Sequence, residues 1–252
     1  MAEFNSFDGT KIAYERDGDG FAVLLVHGFA TDGYINWIRP GVVDALVGAG
    51  RSVITMDLRG HGASDKPHDP AAYAGDAMVR DVRGLIDHLA LDRLDVAGYS
   101  MGAWTSLRLI GDEPRVRRAV LGGIGGAMLG REPQRSGGIA DAMLTDDKRS
   151  IDNPIAKSFR DFADLTGADK HALAAIQRSE RFGPPDASEL SSIAIPVLVL
   201  CGDNDPLAGD PQTLADRLGN ARAVVVGGSH LNVVNNPAFH QAMLEFLTEG
   251  EG

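Results

Sequence analysis

Ser100 stands at the centre of Gly98-Tyr99-Ser100-Met101-Gly102. An apolar, strand-leaning run, Leu94 to Ala97, precedes it. A helix-forming run, Ala103 to Ile110, follows. A serine on a tight turn between a strand and a helix is exposed for nucleophilic attack, the arrangement of a nucleophile elbow. Such a turn forces the serine backbone into a strained conformation. Neighbouring Cβ atoms would collide with it, which accounts for glycine two residues to either side. A serine hydroxyl is a weak nucleophile and needs an adjacent base. Imidazole suits that role because it titrates near neutral pH.

The chain has seven histidines. His230 follows the apolar run Ala223 to Val226 in the turn Gly227-Gly228-Ser229-His230. Carboxyl ends of parallel strands line the reactive crevice of an open sheet, so this is a position for a base. His88 and His240 read as helix residues, and His68 and His171 as residues of polar stretches, all four in contact with solvent. His27 and His61 also lie beyond strand ends. A base of this kind needs an acid that holds its tautomer and stabilises the imidazolium. Asp203 and Asp205 both follow Cys201, on the strand before the histidine strand. Either could serve, and the alternative task of a carboxylate there is turn formation. The backbone N–H of Met101, the residue after the nucleophile, is one expected donor to a developing oxyanion.

These residues need strands and helices to hold them. Phe21 to Val26, Ser52 to Met56, Val116 to Leu121 and Pro196 to Cys201 are continuous apolar runs that read as buried strands. Ile12-Ala13-Tyr14, after the turn Asp8-Gly9, reads as part of a hairpin. A helix is expected near Val42 to Val47, after a loop reaching Trp37. Met78, Val82, Leu85, Ile86 and Leu89 recur at helical spacing over Asp76 to Ala90, and Phe239, Met243, Phe246 and Leu247 do so over Pro237 to Leu247. Strands alternating with helices imply right-handed crossovers and a mostly parallel sheet, an α/β architecture. The alternation breaks from about Ala127 to Ser192, a polar, helix-leaning stretch better read as a lid than as a structureless loop.

Composition narrows the class. At 252 residues one α/β domain is expected. A formal net charge of -11 argues against nucleic acid and against anionic membrane surfaces, leaving a small-molecule substrate as the expected partner. The one cysteine, Cys201, cannot form an intrachain disulfide. The first residues lack the basic and apolar regions of a signal peptide, and the apolar runs are too short to span a bilayer, so a cytoplasmic location is the expectation. No cluster has zinc-ligand spacing and no GxGxxG opens the chain, so neither a metal nor a nucleotide cofactor is expected. Monomer and homo-oligomer both remain open.

His27-Gly28-Phe29, Asp57-x-Arg59-Gly60-x-Gly62-x-Ser64, Gly98-x-Ser100-x-Gly102, Gly202-x-x-Asp205 and His230 fall in one order along the chain. In this the sequence resembles the α/β-hydrolase family, in its serine esterase and lipase branch with a short cap, over almost its full length. The resemblance implies an eight-stranded, mostly parallel sheet flanked by helices. It implies a core of residues 1–126 and 192–252 and a helical cap insertion over 127–191. It also implies the chain order nucleophile, acid, base. That order favours Asp205, three residues after Gly202, as the acid. The other position that some members use reads Gly122 to Gly126 here and holds no carboxylate. By the same resemblance His27, His61 and the stretch Asp57 to Ser64 are architectural, and Phe29 supplies the second oxyanion N–H beside Met101.

The reaction this implies is hydrolysis of small or medium carboxylic esters through an acyl-enzyme, with Ser100, His230 and Asp205 as the triad. Trp37, Met128, Met143, Phe159 and Phe162 are expected to form an apolar substrate pocket. Serine in the elbow, where relatives such as haloalkane dehalogenases and epoxide hydrolases carry aspartate, argues against those branches. Carbon–carbon bond hydrolysis, cofactor-free perhydrolysis and a receptor role with slow turnover are the alternatives. A buried cap arginine such as Arg160 would favour an anionic substrate for the first of these.

Overall fold

The continuous apolar runs become central strands. The computed structural model describes residues 1–129, 137–180, 183 and 185–250. Among these, eight strands form one sheet: β1 (Ala2–Asn5), β2 (Lys11–Asp17), β3 (Phe21–Val26), β4 (Arg51–Met56), β5 (Leu94–Tyr99), β6 (Val116–Gly122), β7 (Val197–Asn204) and β8 (Ala221–Ser229). Their spatial order is β1-β2-β4-β3-β5-β6-β7-β8. The β1–β2 and β2–β4 pairs are antiparallel and all other pairs parallel.

Side chains alternate between the two faces of each strand. Leu24, Val26, Ile54 and Val96 enter one buried cluster, while Val23, Leu25, Val53 and Ala97 enter the other. Helices α1 (Val42–Gly48), α2 (Ala77–His88) and α3 (Met101–Leu109) follow β3, β4 and the elbow. Val82 and Leu85 of α2 and Leu107 of α3 cover the first face. Leu46 of α1 covers the second.

Between β6 and β7 the described residues form α4 (Gly137–Leu144), α5 (Pro154–Thr166), α6 (Lys170–Arg178) and α7 (Ala187–Ser192), and no strand. Local sequence fixes α5 sharply. The Asn153 side chain accepts the N–H groups of Ile155 and Ala156, Pro154 opens the first turn, and Gly167 closes the helix at φ 71°. The chain ends with α8 (Pro211–Ala215) and α9 (Pro237–Thr248), whose Phe239, Met243 and Phe246 lie on the second face with α1. Among the described residues no helix is long and apolar enough to cross a membrane.

Candidate active site

Ser100 lies at the junction of β5 and α3, with φ 52° and ψ −111°. Only three non-glycine residues have positive φ among the described residues, and Ser100 is one. The conformation is sterically costly and is held by its surroundings. Ser100 donates its backbone N–H to Gly122 O on β6 at 2.8 Å. A Cβ at Gly98 would stand 2.3 Å from Gly102 O, and one at Gly102 would stand 2.1 Å from Val26 O. Both glycines are therefore required by close backbone approach, as the spacing around Ser100 predicts.

The loop after β8 brings His230 to this turn. Ser100 Oγ donates to His230 Nε2 at 2.9 Å, and His230 Nδ1 donates to Asp205 Oδ2 at 2.8 Å, with Oδ1 at 3.0 Å. Asp205 and His230 are both buried. Asp205 Oδ1 also accepts the N–H groups of Leu207 and Ala208, at 3.1 and 3.0 Å, so the carboxylate is pinned. Asp203 faces elsewhere: its Oδ1 accepts Gly228 N–H at 2.9 Å and links the carboxyl ends of β7 and β8.

Tyr99 adds a contact that sequence reasoning missed. Its hydroxyl donates to His230 O at 2.6 Å. Burial, reinforced by the Asp205 charge, pushes this phenol well above its ordinary pKa and keeps it a donor.

His27 and His61 serve the neighbouring loops. His27 Nδ1 donates to Gly28 O at 2.7 Å and its Nε2 accepts Leu58 N–H at 2.9 Å. Burial lowers its pKa and keeps it neutral, and both ring nitrogens are occupied. His61 Nε2 accepts Ala30 N–H at 3.2 Å, while Thr166 Oγ1 on α5 donates to Ala30 O at 2.9 Å. Ala30 itself is held at φ 60°. Asp57 accepts the N–H groups of Gly33 and Ala63. Arg59 makes a bidentate pair with Asp81 at 2.6 and 2.7 Å, both side chains fully buried. The Asp57 to Ser64 stretch thus ties loops together. The N–H groups of Phe29 and Met101 donate to no other group among the described residues, and both residues are buried. Met101 N–H also belongs to the open N-terminal turn of α3, where the helix favours negative charge.

A small cavity of about 40 Å³, open to solvent, lies beside Ser100 and His230. Phe29, Phe159 and Phe162 line it, and Phe159 meets the Phe29 ring edge-on at 5.7 Å. The other expected pocket residues are elsewhere. Trp37 is fully buried in the cluster with Val23 and Val42, because a short π-helical turn over Tyr34–Ile38 carries it into the core. Met143 is buried in the cluster with Leu173 and is absent from the cavity wall. The side chain of Met128 lies outside the described residues. Arg160 is bound by Asp164 and by the carbonyls of Ala142 and Thr145, so it braces α5 against α4. Ile35, Asn36, Arg39, Leu231 and Val234 line the cavity instead. A turn of five residues is too short for periodicity to show which side chains face inward. A larger cavity, about 360 Å³ and lined by Tyr14, Asp57 and Lys66, does not include Ser100 or His230. The polar partners that chemistry needs stand at the smaller one.

A family model described as alpha/beta hydrolase fold matches residues 22–134. Over 273 aligned residues the chain is 26% identical to a non-heme chloroperoxidase from Kitasatospora aureofaciens, covering 96% of this chain and 98% of that protein. A hydrolase structure from Pseudomonas aeruginosa superposes with TM-score 0.81 at 27% identity, covering 98% of this chain and 97% of that one. An enol-lactonase from Burkholderia xenovorans superposes at 0.78 with 27% identity, covering 98% and 100%. Sheet order, elbow and these matches agree: the chain is an α/β-hydrolase-fold protein.

Proposed function

We propose that this protein is a serine hydrolase of small or medium carboxylic esters. The observation that carries the reading is the unbroken hydrogen-bond series from Ser100 Oγ through His230 to Asp205. Ser100 Oγ attacks the ester carbonyl carbon as its proton passes to His230 Nε2, and Asp205 stabilises the resulting imidazolium. The N–H groups of Phe29 and Met101 receive the oxyanion. The tetrahedral species collapses, and the departing alkoxide takes the proton from Nε2. Water then attacks the acyl-enzyme and gives a proton to Nε2. That proton returns to Ser100 Oγ as the carboxylic acid leaves.

Within this reading residues 127–191 act as a small cap, supported by Phe159 and Phe162 of α5 in the cavity wall. Perhydrolysis is the second reading. It is favoured by the similarity, over nearly the whole chain, to the Kitasatospora chloroperoxidase. Hydrogen peroxide would then replace water at the acyl-enzyme and release a peracid. Carbon–carbon cleavage loses the support expected from Arg160, whose guanidinium is held within the protein.

The test is Ser100→Ala assayed on short p-nitrophenyl esters. Turnover falls by about 10⁴-fold or more while circular dichroism is unchanged. Organophosphate labelling of the wild type, read by mass spectrometry, maps to Ser100. A variant that keeps a tenth of wild-type activity refutes the reading.

A further inference from the structure

The wall of the cavity beside Ser100 carries a cation in a chain that is acidic as a whole. The sequence holds 35 acidic against 24 basic residues. Yet among the described residues the cavity wall contains Arg39 and no carboxylate. A chain of net charge -11 repels anions, so a positive local field at the mouth of a site is a means of selecting them. Arg39 is exposed, and its side chain makes no hydrogen bond, ion pair or ring contact among the described residues. Arg59, Arg115 and Arg160, by contrast, are each engaged by carboxylates.

A second observation is the wall residue Asn36, three positions before Arg39, which is buried and whose carboxamide is half used. Asn36 Oδ1 accepts Gly28 N–H at 3.0 Å, which fixes the amide orientation, while Nδ2 has no partner. Thr31 Oγ1, on the same wall, is also buried without a partner. Buried donors are seldom left unmade in a native protein unless something else satisfies them. An amide N–H, a hydroxyl and a guanidinium share one complement, an acceptor-rich group with negative charge. The remaining wall, including Phe159, Phe162 and Val234, suits a short hydrocarbon spacer.

We propose that Arg39 is the specificity residue of this site, and that the substrate is an ester or lactone bearing a free carboxylate, bound at Arg39 while its acyl carbonyl meets Ser100. Asn36 is the companion donor for a substrate oxygen. This inference rests on the hydrolase reading above, and the experiment separates the two.

Mono-p-nitrophenyl adipate and p-nitrophenyl hexanoate have six-carbon acyl chains that differ in one terminal carboxylate. The quantity read is the ratio of kcat/KM for adipate over hexanoate within each variant, so general damage to the enzyme cancels. Arg39→Ala lowers the ratio about 10- to 100-fold, chiefly through the adipate KM. Arg39→Lys restores part of it, because a point charge remains without the planar fork. Added salt raises the wild-type adipate KM and leaves that for hexanoate largely unmoved. A ratio unchanged in Arg39→Ala overturns the inference and leaves ester hydrolysis standing. If the wild type turns over neither ester, the hydrolase reading fails. Calorimetric titration with monomethyl adipate then decides the carboxylate site alone: binding lost in Arg39→Ala supports it, and no binding by the wild type overturns it.

Discussion

Replacing Asp205 by asparagine tests the acid assignment at the level of single hydrogen atoms. Asp205 Oδ1 accepts two backbone N–H groups, from Leu207 and Ala208. An asparagine at this position keeps both bonds only with its carbonyl oxygen at the Oδ1 site. Its NH₂ group then occupies the Oδ2 site, 2.8 Å from His230 Nδ1. The shorter contact then sets donor against donor, and only the carbonyl oxygen at 3.0 Å, already shared with two N–H groups, opposes it, so the imidazole is driven to carry its proton on Nε2. Nε2 then faces Ser100 Oγ as a donor and cannot take the serine proton. The imidazolium also loses its countercharge. Together these lower kcat by about 10³ to 10⁴, or about 4 to 5 kcal/mol of transition-state stabilisation. Asp203→Asn is the control. Its contact is one acceptor oxygen facing Gly228 N–H, which an amide carbonyl reproduces, so the loss stays below about 10-fold. The assay is kcat on one p-nitrophenyl ester for both variants, with circular dichroism to show that each is folded. A folded Asp205→Asn enzyme with more than a tenth of wild-type kcat refutes the tautomer argument. A crippled Asp203→Asn with a normal Asp205→Asn assigns the acid to the other aspartate.

Other expectations follow from neighbouring contacts. Substituting alanine for Phe162 in the cavity wall shifts the acyl-chain preference of ester turnover while leaving the rate of labelling by a small organophosphate within a few-fold. A labelling rate that falls in parallel with turnover would show that Phe162 supports the triad instead. Asp81→Asn leaves the buried Arg59 guanidinium with only the partly exposed Asp8 as a countercharge, a loss of about 3 to 5 kcal/mol. Thermal unfolding should then occur about 6 to 20 °C lower, and a shift under about 2 °C would contradict the argument. Burial, aided by the Asp205 charge, pushes the Cys201 thiol up to about 12, so at pH 8 it is protonated and enclosed. Iodoacetamide should label it only after unfolding. Rapid labelling of the native protein would show that the β7 environment is open.

The elements that bring Ser100, His230 and Asp205 together were legible because each is a strong local signal. A six-residue apolar run such as Phe21–Val26, bounded by turn residues, reads as a strand buried on both faces, and the glycines around Ser100 answer to close backbone approach. The position of His230 past the last strand followed from sheet topology. The cavity wall was far less legible. Trp37 looks like a pocket residue by type, but a π-helical turn sends it into the core and brings Asn36 and Arg39 to the cavity. Met143 sits on α4, where Ile139, Ala140, Ala142 and Leu144 are also apolar, so no stripe marks an inner face. Arg160 is instructive in a different way. The four-residue spacing to Asp164 was present in the sequence and is the signature of an ion pair within one helix, which α5 forms with Arg160 buried against the end of α4.

The contact between Tyr99 and His230 closes a ring. Tyr99 and Ser100 are consecutive residues at the end of β5; the first holds the backbone of His230 and the second meets its imidazole. The histidine is thus mounted at two points on β5, with Asp205 beyond β7 as a third point, and its distance to Ser100 is set chiefly by the first of these supports. A shift of β8 along the sheet would have to stretch both contacts at once. The turn before His230 carries the remaining constraint: Gly228, at φ 145°, donates to Asp203 and leaves no room for a side chain against Val233, so the imidazole is set by β5 on one side and by a fixed turn on the other.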